Sequence, residues 1–273
     1  MWRTKRLDPE QIRLLDEQRQ KHDLVPLVIH DSYLINLASP PSVIREKSID
    51  GFHGELERAI LIGAEYLVTH PGNYRGLTVE QGILNVAKAV SLAWRAVDSS
   101  LKTRSRLTIL LENTAGAGAQ LGSNLEELST IRNLVQPYLD VPVGFCIDTC
   151  HSYVSGFDVS EENGLESFLR SAASTLGWQN VPVIHANDAK MKLGSHCDRH
   201  ANIGDGYIGR EGFRRILNHR MLREKAFILE TPVDKPGDDQ RNITALKDLA
   251  RPKETLVSRR GGPNVMCSRP LSK

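Results

Sequence analysis

The stretch Gly144-Phe145-Cys146-Ile147-Asp148-Thr149-Cys150-His151 sets the reading of the whole chain: an apolar run that ends on an acid, with an imidazole three residues further on. Runs of this kind recur. Residues 25–30 end in His30, 66–70 in His70 and 107–112 in Glu112, while 181–186 hold His185 and 226–231 hold Glu230. Each is short, almost wholly apolar and rich in Val, Ile and Leu. That is the pattern of parallel strands covered on both faces, because a strand with one wet face alternates apolar with polar residues.

Amphipathic stretches separate these runs, and they carry helix start signals. Asp8-Pro9 places an acid at an N-cap and proline in the first turn, with Ile12, Leu14 and Leu15 as the apolar side. Ser42 opens a second helix that runs to about Gly63, a suitable left-handed terminator. Thr78-x-x-Gln81 reads as a capping box for a third that ends near Ser99, and Asn124 opens a fourth. A fifth is expected from Ser160 to Gly177 and a sixth from Gly209 to about Glu224. Strand and helix alternate, so the units are βαβ crossovers. Six strands that all end in His, Asp or Glu bring those side chains to one rim if the sheet closes into a barrel. A flat sheet would spread them along an edge. The expected fold is therefore α/β, a TIM barrel.

At 273 residues the chain has the usual length of one such barrel. With 40% hydrophobic and 25% charged residues it has the composition of a soluble globular protein. No run approaches the ~20 apolar residues of a membrane span. The basic start Met1-Trp2-Arg3-Thr4-Lys5-Arg6 is not followed by a signal-type apolar stretch. The four cysteines form no C-x-x-C pair, so a reducing, cytoplasmic setting without disulfides is expected. A net charge of +2 neither announces nor excludes a nucleic-acid partner.

The candidate ligands are nine: His30, His70, Glu112, Asp148, His151, His185, Asp198, His200 and Glu230. Imidazole with carboxylate is a ligand set that suits Zn²⁺. One ion takes about four ligands, so nine suit a cluster of two or three ions if a carboxylate bridges. Asp148 and His151 lie across a strand-to-loop turn and can face different ions. Asp198-x-His200 places alternate side chains on one side of an extended segment.

His30-Asp-Ser-Tyr-Leu-Ile-Asn-Leu37, His70-Pro-Gly72, Leu111-Glu-Asn-Thr-Ala-Gly116, Ile147-Asp-Thr-Cys-His151, His185-Ala-Asn-Asp188, Asp198-Arg-His-x-x-Ile-Gly-x-Gly206 and Leu229-Glu-Thr-Pro232 follow one another in this order. Together they resemble endonuclease IV, the metal-dependent apurinic/apyrimidinic (AP) endonuclease family, over about residues 24–235. The resemblance implies a DNA-repair phosphodiesterase on a TIM (β/α)8 barrel with three zinc ions. It implies one zinc on His30, His70 and Glu112, and a second on Glu112, Asp148, His185 and Glu230. The third would lie on His151, Asp198 and His200, and Glu112 would be the bridging, catalytic carboxylate. The nucleophile implied is water activated by the metals, cutting 5′ to an abasic site in double-stranded DNA to leave a 3′-hydroxyl and a 5′-deoxyribose phosphate. Tyr33 and Leu34 match the family positions that enter the DNA at the lesion, and Arg199 is expected to bind DNA from between two ligands. Asn113, Asn187 and Lys190 are expected to support ligands or phosphate, whereas His22, His53, His196 and His219 match no ligand position.

Measured against that family, the chain is expected to lack the N-terminal strand-helix-strand. A start codon assigned too late is the simplest of the explanations considered. Residues 1–250 are expected to form one N-terminally truncated barrel domain and 251–273 a disordered basic tail, the whole being a monomer. Two other readings stay open. A sugar isomerase or epimerase of the xylose-isomerase-like barrels would use Glu112, Asp148, His185 and Glu230 but has no need of His151, Asp198 and His200. An inactive DNA-binding remnant would hold metal without cutting.

Overall fold

The computed structural model describes residues 7–103 and 105–250, so the tail expected from residue 251 lies outside the described residues. Helix α1 (Pro9–His22) precedes strand β1 (Val28–His30), followed by α2 (Val43–Leu61), β2 (Tyr66–Thr69), α3 (Val79–Ala96), the one-turn α4 (Ser99–Lys102) and β3 (Thr108–Glu112). Next come α5 (Leu125–Val135), β4 (Val143–Asp148), α6 (Thr149–Val154), α7 (Glu162–Thr175) and β5 (Val183–His185). The chain continues through the short β6 (Asp188–Ala189) and β7 (His200–Ala201), α8 (Gly209–Asn218), β8 (Ala226–Ile228) and α9 (Asp238–Leu249).

The capping signals do what their chemistry requires. Asp8 accepts from the Glu10 amide at 3.0 Å and Ser42 from the Arg45 amide at 3.2 Å. Thr78 and Gln81 form the reciprocal box at 3.3 and 3.0 Å, and Asn124 accepts from the Glu126 amide at 3.0 Å. Gly63, just past α2, has φ +68°, a conformation that costs a side-chain-bearing residue energy.

Strands β1 to β5 and β8 pair in that order, all parallel. Their two faces enter different cores. Val68, Leu110, Cys146 and Val183 form one small cluster, with Val28, Tyr66, Ala226 and Ile228 packed against it. All six strands contribute to that cluster, which requires the sheet to curl around it. The alternate positions Leu67, Ile109, Leu111, Phe145, Ile147 and Ile184 face the helices in the main core. Both faces are apolar, which is why the runs show no alternation in the sequence. The inner strand β4 is buried along its whole length, whereas β1 and β8 are half-buried and, among the described residues, each pairs on one side only.

Several elements depart from expectation. Residues 149–154 are helical rather than a loop, and α8 ends at Asn218 instead of near Glu224. The β6–β7 ladder and α9 were not expected. The apolar side of α9 is a sparse stripe, and its buried residues include Asp238 and Asn242 beside Leu246 and Leu249, so polarity hid the period. Helix α1 buries none of its residues; Arg19 attaches it, donating to Glu65 at 2.8 Å and to the Gly63 carbonyl at 3.0 Å. Among the described residues no helix is long and apolar enough to cross a membrane.

The inner cluster is small, so losing one of its members should be felt. Leu110→Ala should lower unfolding free energy by about 2–5 kcal/mol, read from the urea midpoint at constant slope. A loss well below that range would show that the curled face is not close-packed.

Candidate metal centre

Parallel strands bring their C-terminal ends to one side, and the ligand-type residues sit there. His30, Glu112, Asp148 and His185 are the last residues of β1, β3, β4 and β5; His70 follows β2 directly, and Glu230 lies just beyond β8. Register aligns them, with Asp148 opposite His185 and Glu112 opposite Cys146.

Glu112 is the centre, with no exposed surface. Its Oε2 lies 3.0 Å from His30 Nε2 and 3.3 Å from His70 Nε2. Its Oε1 lies 3.1 Å from His185 Nδ1 and 3.3 Å from His151 Nδ1. Burial opposes a charge there, yet the imidazoles of His185 and His70 and the hydrogen bonds of His151 and His185 hold the carboxyl well below its usual range. His185 Nδ1 also lies 3.2 Å from Glu230. On the other flank Asp198 joins His151 Nε2 at 3.1 Å and His200 Nε2 at 3.3 Å. The nine candidates thus form one continuous cluster.

Second partners orient the rings. His30 Nδ1 faces the Asp31 carbonyl at 2.8 Å, His151 Nδ1 the Asn113 carbonyl at 2.9 Å and His200 Nδ1 the Glu230 carbonyl at 2.9 Å. A proton held on Nδ1 by a carbonyl leaves Nε2 as the donor toward the centre, the arrangement metal-binding imidazoles use. His185 is turned the other way, Nδ1 inward, and lies beside the buried Cys146 thiol, whose pKa burial pushes up to about 12. Asn187 clamps two acids: its amide donates to Asp148 at 2.5 Å, and its carbonyl accepts from the Glu230 amide at 2.8 Å. Asn113 accepts from the Asp148 amide at 2.7 Å. Thr69 donates to the buried Asp31 at 2.6 Å, and burial, countered by His30, leaves that acid near pKa 7.

The expected strand-to-loop turn at 148–151 is instead the first turn of α6. Asp148 N-caps it, accepting from the His151 amide at 2.6 Å, so one carboxylate both opens the helix and aims the imidazole it carries. Asn113 and Asn187 hydrogen-bond the candidate ligands Asp148 and Glu230; Lys190 and Arg199 are exposed, and Tyr33 is 88% exposed with Leu34 half-buried beside it. His53 and His219 pair with Glu57 and Glu166, and His196 lies in the loop before Asp198. Cys146, Asp31 and Thr149, whose hydroxyl donates to the His185 and Asn187 carbonyls at 3.2 and 2.8 Å, lie beyond the residues the sequence singled out. Their signal was position: each neighbours a ligand in sequence or register.

The donor set fits metal. Among the described residues the ion pairs of Glu112, Asp148 and Asp198 are all with imidazoles, none with lysine or arginine. His70 Nε2 and His200 Nε2 are buried and, among the described residues, reach carboxylates at 3.3 Å without the geometry of a hydrogen bond, an arrangement that a cation between rings and carboxylates relieves. His30, His70 and Glu112 form one group of potential ligand atoms within 4.8 Å of one another, and Glu112, Asp148, His185 and Glu230 form another.

Known proteins supply a frame for this geometry. A family model described as xylose isomerase-like TIM barrel matches residues 2–251. A relative from Solibacter usitatus named "Probable endonuclease 4" is 56% identical over 259 residues, covering 95% of this chain and 88% of the relative. One of the same name from Halothermothrix orenii is 40% identical, covering 85% and 80%. The crystal structure of endonuclease IV from Thermus thermophilus superposes with TM-score 0.76 at 36% identity, covering 91% of this chain and 84% of that one. A D-tagatose 3-epimerase-like protein, 21% identical with TM-score 0.63, covers 89% and 83% and shares the fold.

Burial opposes charge on His30 and His200, but Glu112 and Asp198 win and raise both to about 9. Both rings are therefore imidazolium at pH 7 in the metal-free chain and must lose the proton on Nε2 to bind metal. Zinc uptake at pH 7 should release protons, and affinity should climb as pH rises toward about 9. Calorimetry in buffers of different ionisation enthalpy measures this, and a buffer-independent heat would contradict it.

Proposed function

The chain belongs to the endonuclease IV group of the xylose isomerase-like TIM barrels, and from that premise we propose that it is a zinc-dependent AP endonuclease acting on double-stranded DNA. The observation that carries this reading is the continuous cluster in which the buried Glu112 joins four imidazoles and Asp198 joins two. In this reading His30, His70 and Glu112 hold one zinc ion, and Glu112, Asp148, His185 and Glu230 a second. His151, Asp198 and His200 hold a third, and Glu112 is shared. When bound, such ions supply Lewis acidity toward phosphate and make water acidic near neutral pH.

The chain's own residues do the rest. The carbonyls on Nδ1 of His30, His151 and His200 keep each ring in the tautomer that presents Nε2, so donors are placed before substrate arrives. Asn187 keeps Asp148 and Glu230 a fixed distance apart. The reaction breaks the bond between phosphorus and the 3′ oxygen on the 5′ side of the abasic sugar. Water supplies the oxygen that remains on phosphate, and the products are a 3′-hydroxyl and a 5′-deoxyribose phosphate. Tyr33, projecting into solvent beyond β1, with Leu34 beneath it, fills the space of the missing base, since an abasic nucleotide leaves the stack at low cost. Arg199 contacts backbone phosphate from between Asp198 and His200.

The group Glu112, Asp148, His185 and Glu230 would by itself suit a sugar isomerase. That reading gives no work to His151, Asp198 and His200, whose mutual contacts are as close as those around Glu112.

A duplex with one synthetic abasic site should be incised 5′ to the lesion, lose incision on chelation and regain it with zinc. His151→Ala should lower incision by at least the ~100-fold that changes around metal ligands reach, a larger loss than it causes in folding, read from the denaturation midpoint of the metal-free chain. Wild-type-like incision by that variant would remove the third ion from the reaction. DNA affinity should fall steeply with salt; a flat response in a filter-binding series would count against a DNA substrate.

A further inference from the structure

We propose that Asp188 is a positioning residue for Asp198 and His200, holding the loop that carries them against the rest of the metal centre. The inference rests on the three-ion reading above and goes beyond it, because it concerns a residue outside the ligand set.

The ligands fall into two mechanical classes. Seven lie at or just past the ends of sheet strands, or in the first turn of α6. Asp198 and His200 do not. They belong to the excursion between β5 and α8, which joins no strand of the six-stranded sheet. Its regular anchorage is the two-residue ladder of β6 with β7, in which Asp188 faces Ala201 and Ala189 faces His200. The Lys190 amide donates to the Arg199 carbonyl at 2.9 Å and extends that pairing to the residue between the two ligands.

Backbone bonds from Gly194 and His196 to Tyr153 and Val154 hold the tip of the excursion, and the Asp188 side chain holds its base. It is wholly buried and makes no ion pair with lysine or arginine among the described residues. Five backbone amides converge on it. Oδ2 accepts from Gly204 at 2.9 Å and Gly206 at 3.0 Å; Oδ1 accepts from Ile208 and Ala189 at 2.9 and 2.8 Å; Gly209 is shared at 3.3 and 3.2 Å. Helix α8 has Ile208 at its N-cap and no side-chain cap of its own, so Asp188 caps it from twenty residues away.

The loop is shaped around this carboxylate. Gly204 and Gly209 have φ of +89° and +66°. A Cβ on Gly206 would lie 2.5 Å from both Asp188 Oδ1 and the Ala189 carbonyl. The backbone of Asp188 thus sets the strand that begins with His200, while its carboxylate fixes the return from that strand into α8. One residue ties the ligand-bearing loop at both ends. The spare Nδ1 of His200 reaches the Glu230 carbonyl at 2.9 Å, so a shift of the loop would break the ring's alignment with Asp198.

The test is the zinc content and zinc affinity of the full chain, measured well below the melting temperature by dialysis against chelator-buffered zinc. Asp188→Asn keeps size but turns an acceptor into a donor, leaving at least two amides without a partner. It should weaken one of the three ions by about 10–100-fold, the range for outer partners of metal ligands, so that wild type retains three ions and the variant two. A purely structural role would lower the melting temperature and leave the zinc affinities unchanged. Gly206→Ala disturbs the same loop from the opposite side, should reproduce the selective loss, and decides the matter where Asp188→Asn fails to fold. Folded variants that hold three ions with wild-type affinity would overturn this inference alone. Wild type that holds fewer than three would overturn the three-ion reading and this inference with it.

Discussion

A carboxylate without exposed surface, held among four imidazoles, is the constraint around which this structure is organised. A buried charge is tolerable only if it is paired and hydrogen-bonded. Glu112 draws its partners from β1, β5, α6 and the turn after β2, so it connects elements that are far apart in sequence. With imidazoles and carboxylates at the core and no lysine or arginine pairing with them among the described residues, the site is built to take cations.

A layer of neutral hydrogen-bonding groups makes that core stiff. Backbone carbonyls set ring tautomers, and two asparagines hold the acids. Asp148 has a double duty, capping α6 while standing among the ligands, so the geometry of the site and the start of a helix are one feature. This explains why a helix of only six residues is fully buried at such a place. The remaining ligand-type residues, Asp198 and His200, lie off the sheet, and the buried acid that accepts the amides at the base of their loop pairs with no imidazole among the described residues.

The frame beneath is a curled parallel sheet with an apolar interior. Val68, Leu110, Cys146 and Val183 fill it one layer below the acids and imidazoles. This apolar floor leaves the strand ends as the polar face of the site. The exposed groups around that face, Tyr33 and Arg199 among them, are of the kinds that meet nucleic acid: an aromatic ring and a guanidinium.

The amino-acid sequence by itself determined the six strands of the parallel sheet, most helix starts and the identity of the ligand-type residues. Those features are local: an apolar run, a cap three residues from its partner, an acid or imidazole that ends a run. Thr78 with Gln81 and the runs that end in His30 and Glu112 are read this way without any fold. Only the tertiary structure decided which ligand faces which. His185 turning Nδ1 inward, Asp148 capping the helix that bears His151, and five amides meeting on Asp188 all depend on strand register and on segments that meet through space. Helix α9 escaped the sequence for a related reason: its buried stripe includes Asp238 and Asn242, and polar groups become interior only when a distant backbone, such as the Ile203 amide on Asn242, gives them partners.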